Sequence, residues 1–277
     1  MHFFRYAQDY YGDWLAVQLL PDAARLLIWL VAVFVGIHLL RRSFGAPVAA
    51  APADPVLVGE DIQKYTLGAR LYHWGNFLFL TLLAASGWAL FVPRSLKSPV
   101  SSWILVHEVS SGLFIAGLLL HIVAALTRGE RHSMWFGRED WKDLRSIAAN
   151  FLGRTHSYPR FGKYDPFQKL YHAFLALLSA AMIFSGVSLV FSAENWSSFD
   201  HPWLRWQRLL HDVGAFTFIA IVLGHIYFGI IRVNWPELAA ILTGRISRSQ
   251  FRLKHSATKW EPKGETVDAK AKVESES

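Results

Sequence analysis

The chain has 277 residues, 53% of them hydrophobic, no cysteine and a formal net charge of +7. So apolar a composition excludes an ordinary soluble domain and fits an integral membrane protein. Without cysteine the chain forms no disulfide, ligates no iron–sulfur cluster through thiolates and attaches no c-type haem.

In chain order, the opening "MHFFRYAQDYYGDW" lacks the basic-then-apolar pattern of a signal peptide. An apolar segment follows over about residues 22–40, with Pro21-Asp22 marking a helix start. The stretch from Gly45 to Gly59, "GAPVAAAPADPVLVG", is rich in alanine and proline and reads as an extended linker. Four more apolar segments come at about 71–92, 103–127, 170–191 and 209–231. Each of the five is near the ~20 residues a helix needs to cross a ~30 Å hydrocarbon core. All are continuous, where a membrane β-barrel would show short alternating runs. Trp74, Trp88, Trp103, Trp203, Trp206 and Trp235 lie near the expected helix ends, where amphipathic rings anchor at lipid headgroups. From about Lys254 the tail turns polar and is expected to be disordered. The expected fold is therefore all-α and integral to the membrane. A four-helix bundle fills residues 68–252. It follows one extra N-terminal transmembrane helix within 1–44 and a linker over 45–67, and precedes a disordered tail over 253–277.

Lysine and arginine set an expected orientation. Nine lie from Arg128 to Lys169, nine from Arg232 to the C-terminus and four between the first two segments. The positive-inside rule places the N-terminus outside and the C-terminus in the cytoplasm. A nucleic-acid surface is disfavoured, because the basic residues spread over several loops instead of clustering on one binding face.

Seven of the 12 histidines fall in or at the edge of apolar segments: His38, His73, His107, His121, His172, His211 and His225. Ionisable groups inside a membrane are costly and usually functional. A helix places His211 and His225 ~21 Å apart along its axis and within ~40° of one face. His107 and His121 repeat that spacing, though no broader internal repeat is apparent. The histidines then sort into two levels. His107 and His211 lie at the outer level, and His73, His121, His172 and His225 at the inner one. Two imidazoles from different helices at one level can ligate a haem iron axially, so two levels give two haems inside a four-helix bundle. The competing readings are packing histidines bonded to serine or threonine, and zinc or copper transport, which favours carboxylates and closely spaced ligands. Glu108 and Asp212 each follow an outer histidine. They either orient a ligating imidazole or sit as solvated interfacial acids.

Five stretches carry a family likeness: "ARLYHW", "ILVHEVSSG", "FGKYDPFQK", "RLLHDVGAF" and "GHIYFGIIRVNWPELAAILTGRIS". They resemble the cytochrome b (gamma) subunit of respiratory formate dehydrogenases over about residues 68–250. Related cytochromes b anchor hydrogenases and thiosulfate reductases. The resemblance implies two haem b groups, with His107 and His211 holding the outer one and His73 and His225 the inner one. It implies quinone chemistry near the inner haem at the segment before the fourth span, with Lys163, Tyr164, Asp165, Gln168 and Lys169 as candidate contacts. The family has asparagine where this chain has Asp165, and a pair of small residues where it has Pro166-Phe167. Asp165 also suits a helix N-cap with Pro166 at the first helical position. The first span lies outside the resemblance. His121 and His172 are extra inner-level histidines, suited to carrying protons, to ligating a third haem or to packing.

On this reading the chain is the membrane-anchoring, quinone-reactive subunit of a formate dehydrogenase in a bacterial inner membrane. An iron–sulfur beta subunit would deliver electrons from a molybdenum or tungsten catalytic alpha subunit. No dehydrogenase site is expected in the chain itself, and no nucleic acid partner. The alternatives are the same role for a hydrogenase or a thiosulfate/polysulfide reductase, and a non-catalytic membrane anchor.

Overall fold

A computed structural model describes residues 4–8, 14–19, 21–44, 61–91, 100–127, 133–151, 159–195, 202–260 and 262. Eight helices dominate it. They are α1 (Pro21–Phe44), α2 (Leu67–Phe91), α3 (Val100–Thr127), α4 (Arg138–Phe151), α5 (Pro166–Asn195), α6 (Pro202–Ile230), α7 (Trp235–Thr243) and α8 (Arg248–Lys254). A hairpin pairs β1 (Phe4–Gln8) with β2 (Trp14–Leu19), and β3 (Ile62–Gln63) pairs antiparallel with β4 (Arg245–Ile246).

Each of the five expected apolar segments falls on a helix, with ends shifted by several residues. Prolines open three of them, at Pro21, Pro166 and Pro202. At the first helical position proline's missing N–H removes no helix bond. Among the described residues, four helices are long and apolar enough to cross a membrane: Leu67–Phe91, Val100–Thr127, Pro166–Phe191 and Trp203–Ile230. In α1 the described apolar stretch is Trp29–Leu40. The long helices carry bare leucines such as Leu120 and Leu177, 72% and 73% exposed. Apolar faces that large are stable only against lipid or another protein.

The described residues form two compact units. The first takes in parts of Met1–Ser43, Gly75–Leu120 and Ala173–Tyr227; the second, parts of Phe44–Trp74, His121–His172 and Phe228–Ser277.

In the first unit, serine–histidine contacts join α2 to α3 and α5 to α6, and facing histidine rings join α3 to α6. Gly214 on α6 allows a close approach to α5, because a Cβ there would meet Met182 Sδ at 2.5 Å.

The second unit has its own small core of Ile62, Ala240, Ile246 and Phe251, with Tyr65, Ala257 and Trp260 packed on it. Gly244 explains the Thr-Gly in the last sequence motif. Its φ of +88° ends α7 in the left-handed region, and a Cβ would meet the Tyr65 carbonyl at 2.8 Å. Its carbonyl also accepts from the backbone N–H groups of Lys64 and Tyr65, which holds β3 against β4.

Two expected boundaries change. The linker over 45–67 gives way at residue 61, where β3 and the start of α2 pack into the second unit; residues 45–60 lie outside the described set. The tail expected to be disordered from 253 is ordered through Trp260. Its residues pair with Phe161 and bury His255 against Phe251 and Trp260. The polar composition conceals two groups, His255 and Trp260, that find a core against Phe251. Apart from residue 262, the remaining tail lies outside the described residues.

Candidate functional site

In the first unit, His107 on α3 and His211 on α6 face each other with ring centroids 6.2 Å apart and planes at 71°. Each ring has the same support from a neighbouring helix. Ser86 on α2 places its hydroxyl 2.9 Å from His107 Nδ1, and Ser185 on α5 places its hydroxyl 3.0 Å from His211 Nδ1. Both serines are fully buried. Each hydroxyl lies within reach of a carbonyl one turn back, Leu82 O at 2.7 Å and Ala181 O at 2.8 Å. A carbonyl can only accept, so it takes the serine proton, and the serine oxygen accepts from Nδ1–H. That fixes the tautomer: Nδ1 is protonated and Nε2 keeps a bare lone pair, the form that binds a metal.

A glycine follows each serine. A Cβ on Gly87 would lie 3.4 Å from His107 Cε1, and one on Gly186 would lie 3.2 Å from His211 Cε1. The Ser-Gly pair lets the backbone of one helix lie against the imidazole of the next. The repeat is thus broader than the histidine spacing alone. The α2–α3 and α5–α6 pairs share one Ser-Gly-to-His arrangement.

The spacing fits an iron between the rings. Two metal–imidazole bonds of about 2 Å, with about 1 Å from each donor nitrogen to its ring centre, put the centroids about 6 Å apart. Among the described residues, His, Cys, Asp and Glu nowhere gather in threes. Two imidazoles alone do not fill the four or more positions a bare ion takes. They suit an ion whose remaining ligands come from a macrocycle.

A family model described as prokaryotic cytochrome b561 matches residues 64–244. The chain belongs to the prokaryotic cytochrome b561 family. It is a cytochrome b electron-transfer subunit of a membrane, and the family's group is b-type haem, which the His107/His211 pair fits. Among its relatives is an Escherichia coli (strain K12) cytochrome named YdhU, 26% identical over 235 residues, covering 80% of this chain and 84% of that one. Another is named a Ni/Fe-hydrogenase B-type cytochrome subunit, from Cupriavidus necator (strain H16). It is 23% identical over 202 residues, covering 63% of this chain and 82% of the relative.

The other expected ligands are distributed differently. His225 lies on α6 in the first unit, and His73 on α2 in the second, where its ring meets Trp74 edge-on at 5.2 Å. The pairing of His73 with His225 rests on the family resemblance. His121 and His172, the extra histidines, approach each other at 6.3 Å in the second unit. Tyr72 stacks flat on His121, with centroids 4.1 Å apart and planes within 6°. Glu108 is exposed on α3, and Asp212 is partly buried on α6.

The expected quinone segment is ordered around the start of α5. Asp165 and Gln168 form a reciprocal capping box. Gln168 N–H donates to Asp165 Oδ1 at 2.8 Å, and Asp165 N–H donates to Gln168 Oε1 at 3.1 Å. The N-cap reading of Asp165 therefore holds. Burial raises its carboxyl above the ordinary range, against the hydrogen bonds it accepts. Lys163 lies over the Tyr65 and Tyr164 rings at 6.0 and 5.6 Å. Lys169 donates to both carboxylate oxygens of Asp140 on α4, at 2.8 and 3.0 Å.

Sequence reasoning missed Ser86, Gly87, Ser185 and Gly186. The signal was a Ser-Gly dipeptide inside two apolar runs, "AASGWAL" and "IFSGVSL". It also missed Lys64, Glu237 and His255, which meet only through tertiary packing in the second unit.

Proposed function

We propose that this cytochrome holds two haem b groups and passes electrons from an iron–sulfur partner to a membrane quinone. The observation that carries this reading is the His107/His211 pair, with matched serine acceptors and a spacing suited to axial ligation. His73 and His225 are the proposed ligands of the second haem. Haem held by two histidines would supply single-electron transfer there. The chain's own residues hold the rings in one tautomer and present the helix start at Asp165 to a quinone headgroup. Quinone carbonyls need hydrogen-bond donors and a proton source beside them, and the Lys163-to-Lys169 segment carries both.

We assign the catalytic partner to formate dehydrogenase, on the strength of the "FGKYDPFQK" and "LTGRIS" motifs. Its molybdenum or tungsten alpha subunit and iron–sulfur beta subunit would complete the complex. The Cupriavidus relative favours a second reading, in which the partner is a nickel–iron hydrogenase. The basic loops favour a C-terminus in the cytoplasm of a bacterial inner membrane, with the His107/His211 level on the opposite side.

The test is to purify the chain from membranes with its native partners, reduce its haem with stoichiometric dithionite and mix it with menadione. Haem reoxidation at a rate that saturates with quinone supports the function. A spectrum that stays reduced contradicts it. The co-purifying subunits decide the partner: a molybdenum or tungsten protein supports formate dehydrogenase, and a nickel–iron protein replaces it with hydrogenase.

A further inference from the structure

The second unit contains a buried ionisable cluster that haem ligation does not use. Lys64, just after β3, is 3% exposed. Its Nζ donates to Glu237 Oε2 on α7 at 2.7 Å and lies 3.2 Å from His255 Nε2. His255 Nδ1 lies 2.6 Å from the Gly162 carbonyl. That carbonyl can only accept, so Nδ1 carries the ring proton and Nε2 accepts from the Lys64 ammonium. The result is one hydrogen-bonded chain from Glu237 through Lys64 and His255 to the backbone of the loop that bears Asp165.

The two ends of this chain differ. The Glu237 side chain keeps 23% exposure, while that of Lys64 keeps 1%. Other charged or titratable groups face the cluster. Lys254 Nζ and His255 Nε2 each lie 4.0 Å from Glu237 Oε1. The Asp165 carboxylate acts electrostatically on Lys64, and the Tyr65 phenol is buried beside it. Burial draws the Lys64 ammonium below its ordinary range, with Glu237 opposing. Burial is the largest influence on Glu237 and resists its charge, but Lys64, Lys254 and His255 together outweigh it and lower the carboxyl. His255 is held neutral, at about 4, by burial and the neighbouring ammonium. A buried pair of this kind adds little stability over apolar side chains of the same shape. A group that can release and regain a proton at the edge of a reaction site is a better reason for it.

We propose that Glu237, Lys64 and His255 form the proton-uptake relay for the quinone site, an inference that rests on the quinone reading above. Reduction of one quinone to quinol consumes two electrons, from two reduced haems, and two protons. Lys64 Nζ gives each proton to the Asp165 carboxylate, which acts on it electrostatically and hands the proton on to a quinone oxygen. It regains one from water through the solvent-facing Glu237 carboxylate, with His255 Nε2 keeping the amine in place. The three groups are thus positioning and relay residues, and none is among the proposed haem ligands.

Reoxidation of the pre-reduced complex by menadione, followed by stopped flow at the haem α band, tests the relay. Glu237→Gln preserves shape and a hydrogen-bond acceptor but cannot ionise. The expected result is a limiting rate about tenfold lower at pH 7.5, the lower end of what a proton-transfer group contributes. Half-saturating menadione should stay unchanged, and the deficit should shrink toward pH 6. The charge-free pair Lys64→Met with Glu237→Leu guards against an unpaired buried lysine and should show the same slowing with full haem content. A limiting rate within twofold of wild type, or a raised half-saturation at an unchanged limiting rate, overturns the relay and leaves a structural ion pair. Wild-type haem that menadione does not oxidise overturns the quinone reading and the relay with it.

Discussion

The serine beside each facing histidine has one proton, and the carbonyl one turn back takes it. Removing that hydroxyl strands a buried Nδ1–H and makes the imidazole a weaker donor to iron. Ser86→Ala or Ser185→Ala should therefore weaken haem retention at this level by about 10–100-fold, the usual cost of losing a metal ligand's supporting hydrogen bond. The midpoint potential of that haem should rise while the other stays in place. A redox titration of membranes reads both, and identical titrations for wild type and variants would contradict the tautomer assignment. Gly186→Ala should disturb the site more than Gly87→Ala, since its Cβ meets the ring at 3.2 Å against 3.4 Å. The histidines were legible in the sequence because imidazoles are rare in apolar runs. Their serines were not, because most hydroxyls in such helices only bond back to their own backbone. Thr81, Ser111, Ser188 and Thr217 all do so four residues back. Nothing local separates Ser86 and Ser185 from these.

Among the elements, α1 meets α6 in the first unit through the contact of His38 Nδ1 with the Tyr227 hydroxyl at 2.7 Å. A chain beginning near Gly59 should keep its haem bands, because none of the proposed haem ligands lies on α1. Loss of both haems in this truncation would make α1 part of the haem-binding core. The segment after α8 has a different sensitivity. His255 is buried neutral with a folded value of about 4, below the ordinary 6.5. A depressed value means that the folded state binds fewer protons, so this stability is present above about pH 6.5 and is lost as pH falls toward 4. Glu237, also depressed, adds loss in the same direction through the carboxylate range, while the raised carboxyl of Asp165 works against it. At pH 5 the His255 share is on the order of 2 kcal/mol. Limited proteolysis should cut this segment faster at pH 5 than at 7.5, and equal rates would contradict its burial. The apolar helices and the Asp165 cap were readable from run length and the Asp-Pro start. Helix α4 was not, since its polar sequence reads as loop until Asp140 and Asp143 find Lys169 and Lys259.

At the scale of the whole molecule, the apolar helices, the paired histidines and the family membership agree on a haem-bearing membrane protein. Bilayer physics made the fold class legible, because only closed backbone hydrogen bonding survives in lipid and twenty apolar residues leave helix as the solution. The partner is less legible, since it is recognised at surfaces whose side chains carry no periodic signature. The central claim is that one chain houses two haem b groups at two levels, one of them between His107 and His211. The most direct measurement is haem b per chain, by pyridine haemochrome assay and the dithionite-reduced spectrum, in wild type and single histidine variants. The account predicts two haems per wild-type chain, one after His107→Ala or His211→Ala, one after His73→Ala or His225→Ala, and two after His121→Ala or His172→Ala. Fewer than two haems in wild type, or a haem lost with His121→Ala but kept with His73→Ala, would contradict it.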